Sequence, residues 1–173
     1  GPGELYDPGG LENLPGGAVA AADYSAGRIL KLNADGTSET LFEGLDIGKQ
    51  PFLVRFAPDD RAWIASRADG RVRVVDEGRS ILLDESSWGR RLITDIVFAG
   101  DEAFLVDFRN DEILVFNFDS LKIKRIISLA PETRARAPHG IELVNGHMVL
   151  SCHDSHTLAI LERKTSGPVR PVC

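Results

Sequence analysis

Four copies of one turn, set at nearly even intervals, constrain this chain more than any other feature. The copies read Asp23-Tyr24-Ser25-Ala26-Gly27-Arg28-Ile29, Ser66-Arg67-Ala68-Asp69-Gly70-Arg71-Val72, Asp107-Phe108-Arg109-Asn110-Asp111-Glu112-Ile113 and His153-Asp154-Ser155-His156-Thr157-Leu158. Their closing apolar residues, Ile29, Val72, Ile113 and Leu158, lie 43, 41 and 45 residues apart. A fixed period of about 40–45 residues, with four short strands in each copy, is how propeller blades appear in sequence. A two-sheet sandwich does not require such regularity.

The unit is clearest at residues 92–129. LITDIVFAG (92–100), AFLVDF (103–108), EILVFNF (112–118) and KIKRIISL (122–129) are separated by short Gly, Asn, Asp and Ser turns. Such runs form a four-stranded antiparallel meander. The first three are nearly continuous apolar, as strands covered on both faces must be, whereas the fourth alternates Lys and Arg with Ile and faces water. The fold class is therefore all-β: a β-propeller of four blades, each of three to four antiparallel strands, forming a closed small ring or part of a larger, assembled ring. The blades span about 17–44, 51–85, 92–129 and 138–173, together one propeller domain over 17–173. Residues 1–16 are rich in Gly and Pro and are read as a tag remnant and lead-in, with the innermost strand of the first blade missing or reduced to Leu11–Pro15 and Gly1-Pro2 as a cleavage scar that hides the native N-terminus.

DYSAGRILKLNADGT (23–37) and RAWIASRADGRVRVVD (61–76) carry a resemblance to known proteins. They are similar to the blades of the NHL, YVTN and SMP-30/gluconolactonase-like propellers, which place an Asp-x-x-x-x-Arg-Ile stretch before an Asp-Gly turn. The resemblance implies the superfamily and its radial blades. Gluconolactonase-like enzymes build a metal site from an acid in an early Glu-Gly-Pro stretch, but Leu14-Pro15-Gly16-Gly17 holds no acid in that register.

In a propeller, second-to-third-strand turns and the links between blades share one end of the sheets. That end collects Lys49, Arg67, Arg90, Arg91, Arg109, Arg134 and Arg136 with Tyr24, Trp88, Phe108, His139, His153 and His156, together with Asp23 and Asp107. The opposite end collects Asp35, Asp59, Asp60, Asp76, Glu77, Asp101, Glu102 and Asp119, so the net charge of −6 is unevenly spread. Arg forks and aromatic plates suit carboxylate, phosphate or acidic-peptide ligands. The expected ligand-binding set is Arg67, Trp88, Arg90, Arg91, Phe108, Arg109, Arg134 and Arg136. The leading expectation is a non-catalytic recognition or scaffold module, part of a larger protein, that binds an anionic ligand or acidic partner without a cofactor.

The alternative is a small metal-assisted lyase or hydrolase. Pro138-His139-Gly140 resembles the strand entrance that virginiamycin B lyase and amidating lyase propellers place near a metal or catalytic His. Apart from that likeness, the placement of the residues on neighbouring turns offers His139 or His153 as a general base oriented by Asp107, or His139, His153 and His156 as ligands of a divalent metal. A hydrogen-bonded His capping a strand entrance is the plainer reading of the same residues.

Other chemistry is excluded more directly. Residues 44–50 (GLDIGKQ) fall one residue short of a P-loop and lack its Ser or Thr. Asn33-Ala34-Asp35-Gly36 is too short for a calcium loop. Cys152 and Cys173 fall on strands roughly two spacings (~9–10 Å) apart, too far for a disulfide. The acidic balance argues against nucleic acid, and no run of 18 apolar residues is present to span a membrane, so a soluble protein is expected. An open ring would leave blade faces exposed, with Ala18, Ala20 and Ala22 at one side and Ile141, Val149 and Leu158 at the other. Such faces would drive homo-oligomerisation.

Overall fold

The computed structural model describes residues 4–44, 47–83, 88–129 and 135–163. It is all-β, with fifteen strands in four antiparallel sheets and one 3-10 turn at Pro15–Gly17 among the described residues. Each sheet is a sequential meander, the blade of a β-propeller. The chain divides into two compact units, residues 1–85 and 86–173, with two blades in each.

In the first unit, blade 1 runs β1 (Pro8–Asn13), β2 (Val19–Asp23), β3 (Arg28–Leu32) and β4 (Ser38–Glu43). Blade 2 runs β5 (Pro51–Phe56), β6 (Ala62–Ser66), β7 (Val72–Asp76) and β8 (Arg79–Leu82). Ala20, Ala22 and Ile29 of blade 1 pack on Val54, Ala62, Ile64 and Val75 of blade 2, with Ile47 between them. The small alanines let two sheets approach where larger residues stand opposite. Strand β1 lies inside the segment set aside above as lead-in. Its PGGLEN composition carries little strand propensity, yet Leu11, Glu12 and Asn13 pair with Ala21, Ala20 and Val19. Gly9 and Gly10 permit this because a Cβ on Gly9 would run into the Phe52 carbonyl of β5, and one on Gly10 would press on the Leu53 side chain.

In the second unit, blade 3 runs β9 (Ile93–Ala99), β10 (Glu102–Asp107), β11 (Glu112–Asn117) and β12 (Lys122–Ser128). Blade 4 runs β13 (Pro138–Val144), β14 (His147–Cys152) and β15 (Thr157–Glu162). Every residue of β10 is buried, while β12 alternates exposed and half-buried, as the apolar run and the Lys/Arg alternation require. Phe104, Val106, Ile113 and Val115 pack on Ile141, Met148, Leu150 and Leu161 in one continuous cluster. The fourth strand expected at 167–173, and Cys173 with it, lie outside the described residues. Cys152 is a free, buried thiol.

Two expectations about exposed faces need correction. Ala18, Ala20 and Ala22 are all buried, the last two against blade 2, and Ile141 is buried against blade 3. Of the expected set, Leu158 is exposed and Val149 half-buried. No helix among the described residues is long and apolar enough to cross a membrane.

Candidate functional site

The same backbone hydrogen bond closes all four blades at one end. The N–H of the first turn residue after the second strand donates to a carbonyl in the segment leading into the first strand. The pairs are Tyr24 to Asp7 at 2.9 Å, Arg67 to Gln50 at 3.0 Å, Phe108 to Leu92 at 3.0 Å and His153 to Ala137 at 2.9 Å. Within each blade, this bond brings the second-to-third turn beside the entry segment, as the sorting of loops by end supposed.

The residue before each donor, Asp23, Ser66, Asp107 or Cys152, is buried. Asp23 accepts from the Tyr6 and Asp7 amides and from Arg28. The Ser66 hydroxyl donates to the Lys49 carbonyl. Asp107 Oδ1 accepts from the Leu92 and Arg109 amides, both at 3.1 Å, and its Oδ2 accepts from Arg91 Nη1 at 2.7 Å and Asn110 Nδ2 at 2.6 Å. Four donors fill the acceptor sites of a carboxylate. Asp107 is thus a latch between two loops, and none of these donors is a histidine.

Above the Asp107 latch, on the second unit, aromatic rings gather. Half-buried Phe108 meets His139 edge-on with centroids 6.1 Å apart, and meets His153 at 6.2 Å. His153 stands 6.5 Å from His156, and its Nδ1 lies 2.9 Å from Asp154 Oδ1. All three imidazoles are exposed. Arg90 and Arg109 are exposed on the loops flanking Phe108, and neither guanidinium has an acceptor among the described residues. Arg136, 63% exposed, reaches Asp111 at 3.8 Å.

The other expected residues go elsewhere. Trp88 is 1% exposed and packs its indole on Phe116 at 6.1 Å, so it belongs to the core and offers no plate to a ligand. Its position in a loop says nothing of burial, and a large apolar ring finds cover where it can. Arg91 is held by Asp107 and Glu112, both at 2.7 Å. Burial works to lower its pKa, and the two carboxylates outweigh burial and raise it. Arg67 belongs to the first unit, where its guanidinium lies over the Phe52 ring at 5.0 Å. Arg134 is outside the described residues.

The metal arrangement is not assembled. Phe108 touches both His139 and His153, and among the described residues no three His, Cys, Asp or Glu side chains gather to hold an ion. The acidic end is locally neutralised at several points. Asp59 pairs with Arg61, Asp101 with Lys124, and Glu102 with Arg125, Lys124 and Arg163.

One cavity escaped the sequence reading. In the first unit, Tyr24, Ser25, Ala26 and Gly27 face Glu43, Gly44, Gly48, Lys49 and Gln50 across a cleft of about 730 Å³. Four of its residues, Gly27, Gly44, Gly48 and Gln50, have positive φ, and three glycines in adjacent loops were the available signal. Lys49 and Glu43 share the lining, so the cleft has no bias toward anions.

No protein-family model matches the sequence, and no curated protein matches it. Solved structures do match at the level of fold. A catalytically inactive His-to-Ala variant of virginiamycin B lyase from Staphylococcus aureus, with quinupristin, aligns at a TM-score of 0.76 and 17% identity, covering 95% of this chain and 54% of that one. A Bacteroides uniformis protein assigned as a candidate 6-phosphogluconolactonase gives 0.69 and 17%, over 95% and 53%. Hydrazine synthase from Kuenenia stuttgartiensis gives 0.73 and 16%, over 98% and 50%. The chain thus spans about half the length of these solved chains and shares their fold.

Proposed function

We propose that the loop end of the second unit is a recognition surface for an acidic peptide segment of a partner protein. The observation that carries this reading is the pair of exposed guanidiniums, Arg90 and Arg109, flanking the Phe108–His139–His153 rings. Each fork can hold one carboxylate bidentately, and the rings supply flat apolar area between the charges. The Asp107–Arg91 latch holds the Phe108 turn in place, which lowers the ordering cost of binding. With a net charge of −6, the chain repels an acidic ligand except where local positive charge dominates, so the surface also orients the encounter.

A hexa-aspartate peptide titrated by calorimetry at low salt tests this. Joint substitution Arg90→Glu and Arg109→Glu abolishes binding if the reading holds, and equal affinity in the variant contradicts it.

A second reading, a lyase centred on His139, draws on the Pro138-His139-Gly140 strand entrance and the likeness to virginiamycin B lyase. A His-to-Ala variant of that enzyme is catalytically inactive. His139, His153 and His156 would be the metal ligands in this reading, and the described residues do not assemble them as a site. Metal analysis of the purified protein, followed by incubation with quinupristin using His139→Ala as control, separates the two readings.

A further inference from the structure

The cleft of the first unit holds two opposite charges that nothing claims. Glu43, which closes β4, and Lys49, which leads into β5, both line it and are both exposed. Neither side chain has a hydrogen-bond or ion-pair partner among the described residues. Elsewhere in the same unit, exposed acids are taken up by a neighbouring cation. Glu39 pairs with Lys31 at 2.6 Å, Asp59 with Arg61 at 2.6 Å and Asp69 with Arg73 at 2.7 Å.

The walls that carry these charges are fixed from behind. The buried Ser66 hydroxyl donates to the Lys49 carbonyl, and the Arg67 amide donates to the Gln50 carbonyl at 3.0 Å. Gly48 lies against the Arg73 guanidinium, which would collide with a Cβ at that position. On the facing loop, the Tyr24 amide donates to the Asp7 carbonyl and the Gly27 amide to the Asp23 carbonyl, both at 2.9 Å. A cleft of about 730 Å³ between anchored loops is of small-molecule size and is formed before any ligand arrives.

We propose that this cleft binds a small zwitterion of the free amino acid class, a molecule with one ammonium and one carboxylate. Lys49 takes the carboxylate and Glu43 the ammonium, each through a charge-assisted hydrogen bond. The half-buried Tyr24 ring lines the same cleft and offers its face to the ammonium. A simple anion would also meet Glu43, and a simple cation would also meet Lys49. A neutral ligand would strip water from both charges and return no counter-charge. The inference is independent of the acidic-peptide reading, whose residues all lie on the second unit.

Amide chemical-shift titrations of the full chain with glycine, γ-aminobutyrate and ε-aminocaproate test the proposal across a range of charge separations. Butyrate and butylamine, each carrying one of the two charges, are the controls. The expected result is saturable shifts at Tyr24–Gly27 and Gly48–Gln50 with at least one zwitterion, and affinity at least tenfold weaker for both controls. Glu43→Gln and Lys49→Met should each weaken that zwitterion at least tenfold. Both side chains are exposed, and unchanged circular dichroism confirms that the variants fold. Absence of saturable shifts with all three zwitterions overturns the proposal, as does equal binding of either control or unchanged affinity in either variant. The Arg90→Glu, Arg109→Glu protein should bind the zwitterion as wild type does, which keeps this outcome separate from that of the acidic-peptide surface.

Discussion

Arg91 Nη1 lies 2.7 Å from Asp107 Oδ2, with the arginine side chain 9% exposed and the carboxylate fully buried. Glu112 shares the same nitrogen at 2.7 Å. The pair ties the segment entering β9 to the turn between β10 and β11, and it removes two residues from any ligand site. Blade 1 also pairs its buried acid with an arginine, Asp23 with Arg28 at 3.2 Å, but that arginine opens β3 and the entry segment is held by its Tyr6 and Asp7 amides donating to Asp23.

Removing the buried acid should therefore act on stability first. Asp107→Ala strands Arg91 beside Glu112 alone and leaves the Leu92 and Arg109 amides without their acceptor, a loss of about 3–5 kcal/mol for a broken buried pair. Urea denaturation reads it as a lowered midpoint. Combining Asp107→Ala with Arg91→Ala should cost less than the sum of the two single changes, since the second removes the stranded charge.

Glu102 predicts acid sensitivity at the opposite end of the second unit. Burial works to raise its pKa, but hydrogen bonds and charge from Arg125 and Lys124 outweigh burial and hold it below the ordinary value of 4.5. A carboxylate with a depressed folded-state pKa contributes stability that is full above the unfolded value and is lost as pH falls through the folded one. Stability should therefore decline below about pH 4.5, and Glu102→Gln should flatten that decline. Urea midpoints collected between neutral and acidic pH for both proteins check it.

Trp88 separates packing from recognition. Trp88→Ala should cost about 3–5 kcal/mol as a large buried ring is deleted, while hexa-aspartate affinity stays unchanged under conditions where the variant is folded. A loss of affinity without a loss of stability would return the indole to the ligand surface.

Gly9→Val should dislodge β1. Its side chain would meet the Phe52 carbonyl, and crowding of this kind costs about 1–3 kcal/mol. Hydrogen exchange would show the effect as lost protection of the amides that pair β1 with β2.

The blades were legible because each strand run is short, apolar and bounded by turn residues, and because the turn after the second strand repeats. Strand β1 was legible only in part, as a stretch at Leu11–Pro15 that overlaps its end. Its Pro-Gly-Gly opening reflects close approach to β5, a tertiary constraint that local propensity does not carry. Within each blade the turn after the second strand meets the entry segment as the repeat suggests, but burial within a loop is not written in the sequence, which groups Trp88 and Arg91 with Phe108 and Arg109. Charge and loop position are written in the sequence, whereas the partner that claims a charge is fixed by packing. Leu158 is the converse case. It fits the repeat as well as Ile29 or Ile113, and the structure shows it uncovered.

Amide chemical-shift mapping of the labelled protein during titration with hexa-aspartate tests the central claim most directly. Perturbations concentrated at Arg90, Phe108, Arg109, His139 and His153, and absent in the Arg90→Glu, Arg109→Glu variant, are the result this account predicts. Shifts confined to the Tyr24–Lys49 cleft, or no shifts at low salt, would contradict it.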